Sequence, residues 1–218
     1  MARLYPITLS LHPPDYARPL AEYLLAHHLR EALANFTWIN NVTSGACGCS
    51  FVYDRSFHCL ARASNLPFTA ISLEGYDADT TALLLAHLLR MGEEAYALVP
   101  RRLYDLLAAS CEVLSVRREW QMLYRGGRGE TAGQDVRALT AHDLPAMLDL
   151  AHRGGLMVFG PSSLKRGEFF GIEREGRLVC MGGVQNRLPG AVEIGSIVTH
   201  PDFRRRGLAT RLVTALVG

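Results

Sequence analysis

Glu193-Ile-Gly-Ser-Ile-Val-Thr-His-Pro-Asp-Phe-Arg-Arg-Arg-Gly-Leu-Ala-Thr-Arg-Leu-Val213 is the stretch on which the reading of this chain turns. Val192, Ile194, Ile197 and Val198 are β-formers around Gly195 and Ser196, and the step from alternation to a paired Ile197-Val198 predicts a bulged strand. His200-Pro201-Asp202 ends it, because proline lacks an N–H and biases the residue before it away from the α region. A helix follows: Leu208, Leu212 and Leu216 recur every fourth residue, with Ala209, Val213 and Ala215 beside them, while Arg205, Arg206 and Arg211 are left to solvent or an anion.

The first N–H groups of a helix have no intrahelical partner, and the macrodipole makes that end positive. Gly207 permits close approach of a ligand to the backbone, Ala209 is small, and Arg204, Arg205 and Arg206 supply charge for phosphate oxygens. From Arg-Arg-Arg-Gly alone, a solvated basic turn capping a core helix is an equal reading.

Arg204-Arg205-Arg206-Gly207-Leu208-Ala209 resembles the Arg/Gln-x-x-Gly-x-Gly/Ala signature of the GNAT acetyltransferase superfamily, and Ile197 to Phe203 is similar to its usual lead-in. The resemblance implies a bulged strand whose backbone pairs with the pantetheine arm of acetyl-CoA, here Ile197, Val198 and Thr199. It implies a pyrophosphate held by Arg204, Arg205, Arg206, Gly207, Leu208, Ala209 and Thr210. Many members of the family carry a base acting through water at this position of the strand, so the resemblance makes Glu193 the candidate base for the acceptor ammonium, an exposed strand carboxylate being the plain alternative. The thioester oxygen would be polarised by a backbone N–H near Val198. No general acid is named by the sequence, and His200 is read as shaping the turn.

Outward from the signature, residues 135–218 follow the order of that family. Val136-Arg-Ala-Leu139 is a first strand, and Thr140 caps a helix with Asp143 three residues on. Leu144, Met147, Leu148 and Ala151 form the apolar face of that helix, and Gly154-Gly155 stops it. Phe169 to Val184 is a hairpin turning at Glu175-Gly176, and Leu188-Pro-Gly-Ala191 leads into the signature strand. The family carries a further strand, a helix and two strands after its signature helix, so the resemblance predicts a domain cut short after Gly218.

The N-terminal half reads as a second α+β unit. Asp15 caps a helix running to about Asn35; strands are expected at residues 50–53, 57–62, 68–73, 95–99 and 113–124, and helices at 80–91 and 103–109. This order resembles weakly the degenerate half of tandem GNAT-like proteins. Four glycines within Arg125 to Gln134 predict a linker. The expected fold is α+β, a mixed sheet flanked by helices, in two small domains: residues 1–125, a linker at 126–134, and an incomplete domain at 135–218.

Composition limits the function classes. The net charge is +2, from 23 basic and 21 acidic side chains, and the chain shows neither a basic stripe with stacking aromatics nor a run long enough to span a membrane, so no nucleic-acid or membrane partner is expected. The N-terminus lacks a signal peptide's apolar core, and a cytoplasmic location is expected. With no such signal, the sequons at Asn35 and Asn41 carry no weight. Five scattered cysteines suit reduced thiols, and Cys47-Gly-Cys49 with His58-Cys59 lacks the usual zinc spacers, so no metal is expected. Adjacent His27 and His28 point about 100° apart on a helix and do not share a target.

The expected activity is acetyl-CoA-dependent transfer of an acetyl group to a primary amine, on a small molecule or a peptide, with a homodimer allowed. The alternative is a catalytically silent acyl-CoA-binding sensor or interaction module.

Overall fold

Alternation along three short strands sorts their side chains onto two faces. In β2 (Ser50–Tyr53), β3 (Cys59–Ala63) and β4 (Ala70–Glu74), the residues Val52, Leu60, Ile71 and Leu73 point one way, and Phe51, Ala61 and Ser72 the other. The computed structural model describes residues 7–28, 35–43, 49–55, 57–63, 66, 68–124, 126, 135–156, 158–188 and 190–218, without the side chains of His27 and His28. The chain divides into two units, Met1–Leu123 and Tyr124–Gly218, in a mixed α+β arrangement.

In the first unit β1 (Thr8–Ser10), β2, β3, β4 and β5 (Tyr96–Ala97) form one sheet in sequence order, antiparallel except for the parallel pair β4 and β5. A parallel pair needs a crossover, supplied by helix α3 (Ala78–Leu88), whose start is capped by Asp77 accepting the Thr80 N–H at 2.7 Å. Leu84, Leu85 and Leu88 of α3 and Leu107 of α4 (Tyr104–Ser110) cover the Val52, Leu60, Ile71 and Leu73 face. The other face meets α2 (Phe36–Thr43): Trp38 Nε1 donates to the Cys59 carbonyl at 3.1 Å, and Asn41 Nδ2 to Ser72 Oγ at 3.0 Å.

Two expectations in this unit are corrected. The helix expected from Asp15 to about Asn35 is seen as α1 (Ala17–His28), its remaining stretch at 29–34 lying outside the described residues, and a further helix α2 follows Asn35. Asn35 is tied to the sheet, its Nδ2 donating to the Leu73 carbonyl at 2.8 Å and to Glu74 Oε2 at 3.1 Å, and its carbonyl opens α2 by accepting the Ile39 N–H. Asp15 makes no capping bond among the described residues; α1 opens with Ala17 N–H on the Pro14 carbonyl. The strand expected at Val113–Tyr124 joins no ladder among the described residues, with Trp120 at 92% and Met122 at 88% exposure. Its alternation is real, but a strand also requires a neighbour to exchange hydrogen bonds with.

The fold bears on the sequons, thiols and histidines. Asn35 and Asn41 are 4% and 8% exposed, so neither is open to glycosylation in the folded chain. His58 is buried and its Nε2 accepts the Asp77 N–H at 3.1 Å, while burial pushes the Cys59 thiol up to about 12. Cys47 and residues 127–134 of the linker, with Arg125, lie outside the described residues, as do the last six residues before Asn35 and Pro189.

The second unit is a four-stranded antiparallel sheet in the order β6 (Val136–Leu139), β7 (Phe169–Arg174), β8 (Arg177–Leu188) and β9 (Ala191–Thr199). The β7–β8 hairpin turns at Glu175 and Gly176, both left-handed at φ 54° and 72°, as a two-residue turn of this hand requires. Thr140 and Asp143 form the expected capping box, and the Arg137 guanidinium beside Asp143 holds its carboxyl down at about 2. Helix α5 (Leu144–Gly154) then covers one sheet face through Met147, Leu150 and Ala151 against Leu139, Phe169, Met181 and Val198. Leu150 replaces Leu148 on the expected apolar face; Leu148 is 37% exposed.

Helix α6 (Leu208–Val217) covers the opposite face, where Leu208 and Leu212 pack on Ile172, Val179 and Cys180. Leu212 is fully buried. Leu212→Ala is expected to cost about 2–5 kcal/mol, read as a lower urea midpoint with an unchanged slope; an unchanged midpoint would mean that α6 does not clamp the sheet.

Candidate functional site

Among the described residues β9 is an edge strand with β8 as its one neighbour in the sheet, so its outer row of backbone N–H and C=O groups faces away from the ladder. Its pairing is irregular twice. Val198 lies opposite Met181 and Gly195 opposite Gly183, so Ser196 and Ile197 face the single residue Gly182. Ser196 is left-handed at φ 52°, which turns the edge at that point. The expected bulge therefore falls one residue earlier than the Ile197-Val198 pair. Side chains of the three expected pantetheine residues face inward. Val198 packs under α5, Ile197 packs on the α6 side, and Thr199 Oγ1 lies 3.3 Å from Cys180 Sγ, so this stretch offers a ligand its backbone. Gly154 allows the close packing of α5 here: a Cβ on it would stand 1.9 Å from Val198 Cγ2.

The turn after β9 is built by His200, which is buried. Its N–H bonds the Val179 carbonyl at 2.8 Å, its Nδ1 accepts the Asp202 N–H at 3.3 Å, and its carbonyl accepts the Phe203 N–H at 2.9 Å. This is the shaping role expected from the sequence. Pro201–Phe203 makes one 3₁₀ turn, and Arg205 and Gly207 are both left-handed, at φ 61° and 73°. Such alternation of hand within a few residues curls backbone N–H groups into an anion-binding concavity.

α6 starts immediately afterwards. Gly207 is its N-cap and offers no side-chain cap, and the first bond to the cap is Arg211 N–H to the Gly207 carbonyl at 3.1 Å. The N–H groups of Leu208, Ala209 and Thr210 precede that bond and find no acceptor among the described residues. With the positive end of the helix dipole, they form a site whose donors suit phosphate oxygens.

The four arginines separate into different roles. Arg204 folds back, its Nε donating to the Thr199 carbonyl at 3.1 Å and one Nη to the Gly154 carbonyl at 3.5 Å, which ties β9 to the end of α5. Arg206 donates to the Asp202 carbonyl at 3.0 Å and lies over the Phe203 ring at 5.0 Å. Arg211, expected to be free, pairs with Asp135 at 2.9 Å, and Arg174 holds the same carboxylate below its usual range. Arg205 makes no bond among the described residues and is exposed beside the helix start.

Glu193 lies on β9 before the irregular stretch. Burial pushes its carboxyl up, opposed by a hydrogen bond from Asn186 Nδ2 and by the charge of Arg166. A carboxyl of this kind is a better proton acceptor than an exposed one. Asn186 was not singled out by motif, yet its place was legible: a turn joining Leu188 to Ala191 counts Arg187 onto Val192 and Asn186 onto Glu193. Among the described residues no three of His, Cys, Asp and Glu come together to hold a metal ion, and no helix is long and apolar enough to cross a membrane.

A family model described as Acetyltransferase (GNAT) family matches residues 139–218. A crystal structure of a GNAT-family protein from Novosphingobium aromaticivorans DSM 12444 is similar at 30% identity over 43% of this chain and 42% of that one, with a TM-score of 0.40. The matched part thus spans less than half of that protein's length. A GCN5-related N-acetyltransferase from Kribbella flavida is similar at 13% identity over 91% of this chain and 78% of that one, with a TM-score of 0.48. No curated protein matches the chain.

Proposed function

From a GNAT acetyltransferase domain at residues 139–218, we propose that this chain binds acetyl-CoA and transfers its acetyl group to a primary amine. The observation that carries the reading is the start of α6, where a left-handed glycine cap leaves N–H groups without acceptors among the described residues, one turn after an irregular edge strand. Leu208, Ala209 and Thr210 would bind the pyrophosphate through their amides, with Gly207 admitting it closely and Arg205 adding charge. Arg204 and Arg206 would act indirectly by holding the curled backbone, with their remaining N–H groups turned to phosphate. The pantetheine arm would pair with the outer edge of β9 at Ile197, Val198 and Thr199.

In the reaction the amine lone pair attacks the thioester carbonyl carbon, and the carbonyl oxygen gains charge opposite a backbone N–H of the bulge. The C–S bond then breaks, the nitrogen gives up its extra proton to solvent to leave the neutral amide, and the thiolate takes a proton from solvent. Glu193 removes the proton that would otherwise block the amine lone pair, directly or through one water.

Acetyl-CoA at a hundredfold excess over its Kd is expected to stabilise the chain by about 2.7 kcal/mol, seen as a higher melting temperature. No shift at saturating ligand would refute the site. Intact-mass analysis of an amine panel then separates transfer from binding alone: acetylated product supports the enzyme, and binding without product supports the silent acyl-CoA module.

A further inference from the structure

Asn186 and Glu193 face each other because of how the β8–β9 hairpin counts. Leu188 pairs with Ala191, Arg187 with Val192 and Asn186 with Glu193. The next step of that count would set Gln185 against Ile194. Instead Val184 meets Ile194, and Gln185 is the surplus residue of a second irregularity. Its carboxamide lies over Gly195, where a Cβ would stand 1.9 Å from Gln185 Oε1. Two consecutive carboxamides of β8 thus flank residues 193–195, just before Ser196 turns the strand edge.

Asn186 Nδ2 donates to one oxygen of Glu193, Oε2. Glu193 is half-buried, and a carboxylate partly withdrawn from water gains from such a donor. Arg166 is the other group whose charge reaches Glu193, while Arg187, the next residue of β8 after Asn186, pairs with Glu168.

We propose that Asn186 is a positioning residue for the Glu193 carboxylate, fixing Oε2 so that Oε1 is presented to the amine proton. The step it serves breaks an N–H bond of the incoming ammonium and forms an O–H bond on Glu193, which then releases that proton to solvent. This rests on the acetyltransferase reading, in which Glu193 is the base. The geometry also fixes an order of dependence: loss of the Asn186 amide leaves Glu193 in place but without its donor, whereas loss of Glu193 removes the acceptor altogether.

The test follows Glu side-chain carboxyl carbons by nuclear magnetic resonance through a pH titration, with the Glu193 signal assigned by its disappearance in Glu193→Gln. In Asn186→Leu the midpoint of that signal is expected to rise by about one pH unit, and Asn186→Ser, which keeps a short donor, is expected to fall between the two. An unchanged midpoint in both variants overturns the proposal, as does a wild-type midpoint at the ordinary carboxylate value. The acetyl-CoA melting shift, measured on the same samples, is expected to survive in both variants, because Asn186 lies away from the α6 start. Its absence in the wild type would refute the acetyltransferase reading while leaving the titration to judge Asn186. If Asn186→Leu fails to fold, the titration of Asn186→Ser decides alone.

Discussion

Gly207→Glu is expected to weaken acetyl-CoA binding at least a hundredfold, about 2.7 kcal/mol. Two effects add. Gly207 sits at φ 73°, where an L side chain costs about 1–2 kcal/mol, and the new carboxylate sits at the N-cap beside the N–H groups of Leu208, Ala209 and Thr210. An acidic N-cap side chain accepts such N–H groups, so it would occupy the donors meant for phosphate and repel the ligand. Steric exclusion is not the cause, because a Cβ on Gly207 meets nothing within 4 Å. Gly207→Ala is the matching control: it carries the backbone strain without the charge and is expected to lose about tenfold or less. Isothermal titration with acetyl-CoA measures both, and equal losses in the two variants would remove the electrostatic part of the argument.

Glu193→Gln is expected to lower kcat by about 10²–10⁴-fold with little change in the KM for acetyl-CoA, since in the proposed reaction Glu193 acts on the amine and not on the acyl-CoA. The pH dependence follows from the sign of the shift. Burial raises the Glu193 carboxyl, and the carboxylate must be ionised to act, so kcat/KM climbs with pH along a limb displaced upward from the ordinary carboxylate range. That limb is absent in the Gln variant. Stability carries the same sign: the folded chain favours protonated Glu193, a preference present at low pH and lost as pH rises through the folded value. Wild type is accordingly expected to lose stability relative to Glu193→Gln over that interval, in paired melting curves. A Gln variant that turns over amine at the wild-type rate and keeps the acid limb would exclude Glu193 as the base.

Local features of the second unit were legible because their causes are local. The Glu175-Gly176 turn needs two left-handed residues, the Thr140–Asp143 box needs two side chains three positions apart, and the Leu208, Leu212 and Leu216 repeat needs one helix face. The first unit was read less well where neighbours decided. Asp15 is placed like a helix cap, yet α1 opens on the Pro14 carbonyl, and Val113–Tyr124 has a strand's alternation but pairs with no strand among the described residues.

In the candidate site the same division holds. Sequence alone determined that a β-strand, a proline turn and a basic glycine-capped helix follow one another, because each is specified by residues within a few positions. Only tertiary structure decided which basic groups remain for a ligand. Arg204, Arg206 and Arg211 look alike in sequence, yet the carbonyls of Thr199, Gly154 and Asp202 and the Asp135 carboxylate engage part of their donors, while Arg205 makes no bond among the described residues. It likewise decided that Glu193 is half-buried and given a donor by Asn186, since burial and hydrogen-bond partners come from strands and helices that the chain brings together only when folded.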